Sequence, residues 1–392
     1  MTPQKLTGFH KFVCFVLVAI VAILIIGFVA NGWQANENIP GSGDVGNSTD
    51  DTDDNKANNG TNDKNDTPNN TPSEDEGKNP SENPPDLEPD IPKEEPKIYI
   101  HPLTGLVISE ERYNSVPHGI LINPSSPLYG VSNSDIAIEF PIEDGSTRML
   151  VFDSTEDTLW KIGALMPTRK FISHMSSFFG GIIVSYGEDD KIAYNMPEGN
   201  SFLIDISEYS DCHYIENGQH VYTTENMIEL AKNKATNYQP IYQYKDAPYD
   251  FYEFPNFIGT GNATTIIIPY SNINETELYY HEKSGEYLYY KSSNRKMDML
   301  TGKNVSYKNI FILFADATTY EKSEGSELVI DVISGGKGYY ASNGKYTEFT
   351  WKTDVTGALS FYTLSGEKLK VNPGNSYFTY YKSSSISKVN LI

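Results

Sequence analysis

Residues 12–30 (FVCFVLVAIVAILIIGFVA) form nineteen consecutive apolar or glycine positions without a single charge. At 1.5 Å per residue a helix of that length spans about 28 Å, close to the roughly 30 Å hydrocarbon core of a bilayer. Lys5, His10 and Lys11 precede the run and the first acidic residue after it is Glu37. The positive-inside rule therefore puts the N-terminus in the cytoplasm and everything after residue 33 outside. A cleaved signal peptide competes with this reading, but its apolar region usually spans only about 7–15 residues, and Ala30-Asn31-Gly32 is a weak small-x-small site. Residues 1–33 are read as an uncleaved transmembrane anchor. Cys14 lies inside the run, which is the wrong place for an N-terminal lipid anchor.

The next segment cannot build a core. From Ala35 to Lys97 there is no aromatic residue, and 17 Asp and Glu face 5 Lys. Such a segment buries too little apolar surface to offset its chain entropy, so 34–97 reads as a disordered acidic stalk. Prolines 84, 85, 89, 92 and 96 stiffen its far end. The whole chain carries a net charge of −22. That balance argues against a nucleic-acid partner, whose phosphates need clustered Lys and Arg, and against attraction to an anionic lipid surface.

All 28 tyrosines lie beyond residue 97. Of the two cysteines only Cys212 lies there, so the head has no intrachain disulfide and must rely on its cores. In its first part GILIN (119–123), DIAIEF (135–140), TRMLVFD (147–153), GIIVSY (181–186) and SFLIDI (201–206) read as short, partly buried strands. Pro167 reads as the first turn of a helix carrying Phe171, Met175 and Phe178, and Thr223 or Thr224 as the N-cap of another carrying Met227, Ile228 and Ala231. After an aromatic linker at 238–262, TTIIIP, ELYYH, EYLYYK, NIFILFA, ELVIDVI, GYYASNG, YTEFTWK and SYFTYY alternate with turn signals, as in an antiparallel sheet. The fold class expected is α+β: a mixed α/β domain over 98–250, then a mostly antiparallel β domain over 260–388.

Most catalytic signatures are missing. SGGKG (334–338) lies between strands and reads as a turn rather than a phosphate cradle, and His281-Glu282 lacks the second His of a zinc pair. Ser365–Lys368 and Ser385–Lys388 match SxxK by spacing only. Glu139, Glu143 and Asp144, and the loop run Glu188, Asp189 and Asp190, offer carboxylates for glycosidase chemistry or for Ca²⁺, without diagnostic spacing. Cys212 and His213 are neighbours that an extended chain points apart, a poor nucleophile–base pair. No cofactor and no metal is expected. Four arginines stand against 26 lysines, which suggests positions where a planar bidentate donor is required. Tyr-Tyr pairs suit either sugar stacking or cross-strand pairing, with one ring of each pair facing outward.

Several of these segments carry a resemblance. HPLTGLVISEE (101–111) resembles the PLTG opening of the YerB-like family, envelope proteins of Gram-positive bacteria built around a two-part domain of unknown function. GILINPSSPLYGVSNSDIAIEFPIEDGSTRMLVF resembles the family's INN, GLxxAD and EGGxTR run, which places Asp135, Glu139, Glu143, Gly145, Thr147 and Arg148 on motif positions. IGALMPTRKF resembles IGPVRSAR, with Arg169 at the second Arg, and QHVYTTENM resembles PHNLYT, placing His220, Tyr222 and Thr223. The Asp298 region, NVSYKNIFILF, the stretch with Trp351 and VNPGNSYFTYY resemble the C-terminal part. Met166 replaces the family's first Arg, Gln219 the Pro of PHN, and Ser185 a strand-end His. Many relatives start with a lipoprotein signal, where this chain has its apolar run. The resemblance implies location and architecture but no reaction.

The site expected is one cleft between the sheet and the Pro167 helix, formed by Asp135, Glu139, Glu143, Arg148, Arg169, His220 and Tyr222. In it the arginines hold an anion while Glu139 and His220 bind or exchange protons. The function expected is a non-catalytic, membrane-tethered extracellular protein that binds peptidoglycan or an envelope protein. The alternative is a hydrolase or transferase acting on peptidoglycan or its glycans.

Overall fold

Strands that are covered on both faces read as nearly continuous apolar runs, without the alternation of a half-exposed strand. HGILI, IAIEF, TRMLVFD, NIFILFA and SYFTYY have this character, and in the computed structural model they are neighbours in one sheet. The structure describes residues 97–153, 159–187, 203–235, 246–322, 325–354 and 357–392. The apolar run 12–30, the stalk up to residue 96, and Glu188, Asp189 and Asp190 lie outside the described residues. Among the described residues no helix is long and apolar enough to cross a membrane.

In chain order the first part contributes β1 (His118–Ile122), β2 (Ile136–Pro141), β3 (Thr147–Asp153), helix α1 (His174–Phe179), β4 (Ile182–Ser185) and β5 (Leu203–Asp205). Next come β6 (Tyr214–Glu216), β7 (His220–Thr223) and helix α2 (Glu225–Lys234). The second part adds β8 (Thr265–Pro269), β9 (Glu275–His281), β10 (Glu286–Lys291), β11 (Ser306–Tyr307), β12 (Asn309–Ala315), β13 (Gly336–Ser342), β14 (Lys345–Thr353), β15 (Leu359–Thr363) and β16 (Ser376–Lys382). The architecture is mostly β with few, short helices, and richest in strands toward the C-terminus.

The large sheet runs β14-β13-β12-β16-β2-β3-β1-β4-β5, with β15 attached to β14. Its centre is parallel: β16 pairs with β12 on one side (Phe378 beside Phe311) and with β2 on the other (Thr379 beside Glu139). β2 and β3 form an antiparallel hairpin in which Glu139 faces Met149 and Phe140 faces Arg148. A second sheet is built on β8, β9 and β10, with β11 paired to β10.

Alternation along these strands sorts the side chains onto two faces. One face carries Ile120, Ala137, Met149, Val151, Ile310 and Tyr377, covered by Ile266, Leu278, Tyr287 and Tyr289 of the second sheet and by Ile228 and Ala231 of α2. The other carries Leu121, Ile138, Phe140, Leu150, Phe311 and Phe378, covered by Phe171, Met175 and Phe178 and by Tyr249 and Phe257. Phe311 stacks on Phe378 at 4.6 Å and on Tyr249 at 5.1 Å. Each such ring, fully buried, contributes about 1.5–3 kcal/mol.

Helix α2 starts as its sequence indicates: Thr224 accepts from the Met227 N–H at 3.2 Å. The helical stretch expected at Pro167 begins later, with a 3₁₀ turn at Lys170–Ser173 leading into α1. Arg169 is extended there, with its side chain committed elsewhere. Gly180 then ends α1 at a φ of +85° that favours glycine.

Candidate functional site

Glu139 sits in the middle of β2 on the face toward the second sheet and is fully buried. Its carboxylate accepts from Lys291 Nζ (2.5 Å), Thr147 Oγ1 (2.5 Å), Tyr377 OH (2.6 Å), Thr276 Oγ1 (2.8 Å) and Tyr289 OH (3.1 Å). The Lys291 ammonium, equally buried, also lies 4.6 Å from the centroid of the Tyr270 ring. Burial alone would raise the Glu139 carboxyl, but Lys291 and the hydroxyl donors outweigh it and hold the group below its ordinary range. Burial pulls Lys291 down, and Glu139 opposes that shift. This arrangement locks an anion between two sheets.

Arg148 stands opposite Phe140, so alternation sends it to the other face of the sheet from Glu139. It donates through Nη1 to the Pro167 carbonyl at 2.5 Å, and Arg169 Nη2 contacts Glu143 Oε1 at 2.5 Å. The structure thus gathers Arg148, Arg169 and Glu143 around residues 167–169. Glu143 also borders a shallow cavity of about 180 Å³ lined by Tyr270, Tyr381, Lys382 and Lys388. Asp135 belongs to a different cluster, where it contacts Arg112 Nη2 at 2.6 Å and His101 Nε2 at 3.1 Å.

His220 and Tyr222 lie on β7, in a small sheet with β6 and Ile162–Gly163. Tyr222 is buried against the Lys161 ammonium, 4.1 Å from its ring, which also sits 4.3 Å from Tyr129 and pairs with Glu216 at 2.6 Å. His220 faces Glu216 across the strand pair. Cys212 is buried and its thiol is pushed up by that burial, the opposite of an activated nucleophile. His213 directs Nδ1 at the Ile206 and Tyr209 carbonyls. The second SxxK lies in a 3₁₀ turn, Ser383–Lys388.

Comparison with known proteins finds similarity at three levels. Residues 266–378 match the family described as "Protein of unknown function (DUF3048) C-terminal domain". YerB of Bacillus subtilis (strain 168), named as a candidate lipoprotein, is 27% identical over 277 residues, covering 66% of this chain and 79% of its own. The crystal structure of YerB from Bacillus subtilis superposes with a TM-score of 0.64 at 22% identity, over 75% of this chain and 99% of that one, a likeness of fold. All three findings support a YerB-like family for this chain.

The YerB-like motifs now have physical content. In PLTG, His101 Nδ1 accepts from the Leu103 and Thr104 N–H groups, and Gly105 turns at φ +67°, so the opening segment folds back onto Asp135. Asp298 accepts from the N–H groups of Gly130, Val131, Ser132 and Leu300, tying residues 128–132 to the second part. Ser185 is buried at the end of β4.

One constellation escaped the sequence reading. His118 at the head of β1, Glu225 and Glu229 on α2, and Lys232 line a second cavity of about 200 Å³ with Asp153. The i,i+4 spacing of Glu225 and Glu229 on a recognisable helix was the available signal. Its partner His118 is distant in sequence and visible only through the sheet.

Proposed function

We propose that this chain is a membrane-tethered extracellular envelope protein whose head binds cell-wall polymer or an envelope protein without turning it over. The observation that carries this reading is the state of the motif carboxylates. Glu139 is paired with Lys291, Glu143 with Arg169, and Asp135 with Arg112 and His101. A general acid or base must be accessible and poised near neutrality, whereas Glu139 is fully buried and its carboxyl is held below the ordinary range. The Glu143 cavity supports binding instead, because tyrosines form part of its wall and the exposed Lys382 and Lys388 give it a basic rim suited to an anionic polymer. The apolar run at 12–30 and the lipoprotein character in the name of the Bacillus relative support a tether to the membrane. The runner-up, a peptidoglycan hydrolase or transferase, draws support from the His118 cavity alone.

The test is sedimentation of the detergent-solubilised full chain with purified sacculi, with mass spectrometry of the supernatant. The expected result is retention on the wall with no released fragments, lowered several-fold by Lys382→Gln with Lys388→Gln. Fragment release that disappears in His118→Ala would establish the enzyme instead. No retention would reject wall polymer as the ligand.

A further inference from the structure

We propose that the cavity between β1, β3 and α2 binds a first-row divalent cation of the zinc or manganese class through His118 and Glu229. In this site Glu225 orients the imidazole. His118 opens β1 directly opposite Asp153, the last residue of β3, so both side chains emerge on one face at one end of the sheet. Helix α2 crosses that face and presents Glu225 and Glu229 one turn apart. Candidate ligand atoms of His118, Glu225 and Glu229 all lie within 4.8 Å of one another.

The shorter contacts favour one nitrogen as the ligand. Lys232 Nζ lies 3.4 Å from His118 Nε2, and an ammonium can only donate, so this contact favours a lone pair on Nε2. The ring proton then resides on Nδ1, which points at Glu225 Oε1 at 2.9 Å. A carboxylate on one ring nitrogen that fixes the tautomer and directs the other nitrogen outward is the usual support of a metal-binding histidine. On that outward side, His118 Nε2 and Glu229 Oε1 are 3.6 Å apart. Two donors each about 2.1 Å from an ion and about 110–120° apart are separated by about 3.4–3.6 Å, so this bite fits a tetrahedral or trigonal ion. The Lys232 ammonium, 2.5 Å from Glu229, already places positive charge at that point. Its flexible stem allows it to withdraw, which leaves the remaining coordination positions to water from the cavity. Mixed imidazole and carboxylate donors favour zinc or manganese over calcium or magnesium. This site stands apart from the wall-binding reading and does not depend on it.

The test uses the full chain in detergent, stripped with a chelator and titrated with Zn²⁺ against a chromophoric competitor, with Co²⁺ absorption and Mn²⁺ EPR as readouts. One tight ion per chain is expected. Glu229→Gln should weaken it at least about tenfold, and Glu225→Gln about 10–100-fold. Lys232→Gln should tighten it, because a competing cation is gone. Glu229 is half exposed, so its substitution leaves the fold intact and keeps the test decisive even if His118→Ala fails to fold. Zn²⁺ should also raise the melting temperature of the parent but not of Glu229→Gln. Equal affinity in the parent and Glu229→Gln, or weaker binding in Lys232→Gln, would overturn the proposal.

Discussion

Replacing Glu139 with Gln leaves the Lys291 ammonium buried at 2% exposure with no opposite charge, and with a neutral amide oxygen, Thr276 Oγ1 at 3.2 Å and the Tyr270 ring as its partners. Breaking a buried pair on one side typically costs about 3–5 kcal/mol. The structure sets a ceiling on that figure, because Lys291 can instead fold neutral. Bringing a lysine from its ordinary pKa of about 10.4 to neutrality at pH 7 costs about 4.6 kcal/mol, at ~1.36 kcal/mol per pH unit. Glu139→Gln should therefore lose about 3–5 kcal/mol at pH 7, a fall in Tm on the order of 10 °C. The loss also has a definite pH dependence. In the variant Lys291 has a folded-state pKa below its unfolded value, so the unfolded chain binds more protons and stability recovers as pH rises from 7 toward 10. Adding Lys291→Met should restore most of the loss, since no buried charge is then unpaired. Denaturant melts of the parent, both single variants and the double variant at pH 7 and 9 measure all of this. A Glu139→Gln cost within about 0.5 kcal/mol of zero, or one that is flat with pH, would refute the reasoning.

Two more outcomes are expected from the same structure. Asp298→Asn should cost about 2–4 kcal/mol and expose Gly130, Val131 and Ser132 to amide exchange, because one carboxylate oxygen that accepts two N–H groups becomes a donor. A parent-like melt and unchanged exchange there would count against it. Burial raises Tyr270, Tyr289 and Tyr377 well above the ordinary tyrosine range. The stability they lend is thus fully present below about pH 10, where unfolded tyrosine titrates, and is lost above it. Tyrosinate absorbance should rise in a late step together with loss of near-UV CD, and a single smooth titration with the fold intact would contradict this.

The strands were legible because their chemistry is local. Alternation and apolar runs place β1, β2, β3, β4 and β5 within a residue or two of the segments read from sequence. The pairing between β16 and β2 was not legible, since it joins Ser376 to Ile136 and nothing in either segment names its neighbour. The tyrosine pairs show the same divide. Tyr289 and Tyr340 are buried while Tyr290 and Tyr339 are only partly covered, as alternation on a one-sided strand requires. Tyr380 and Tyr381 are both buried, because β16 is central and covered on both sides. Glu139 was legible as unusual, a lone carboxylate in IAIEF, but Lys291 as its partner was not. Arg148 was separable from Glu139 in principle, since residues 139 and 148 occupy non-facing positions of a hairpin.

Topology also separates the two candidate binding places. Glu143 sits in the turn that joins β2 to β3, and Asp153 ends β3 beside His118 at the other end of the sheet. Seven residues of strand at about 3.3–3.4 Å each put roughly 20 Å between these ends, with a close-packed, fully buried β3 along the way. Side chains in such a core do not pass small displacements along unless it has two discrete arrangements, so each end should answer only to its own substitutions. Changing Lys382 and Lys388 should alter wall retention with cation affinity untouched, and Glu229→Gln should do the reverse. If the two losses appear together, the ends share one ligand or one conformational equilibrium, and the sheet does not insulate them from each other.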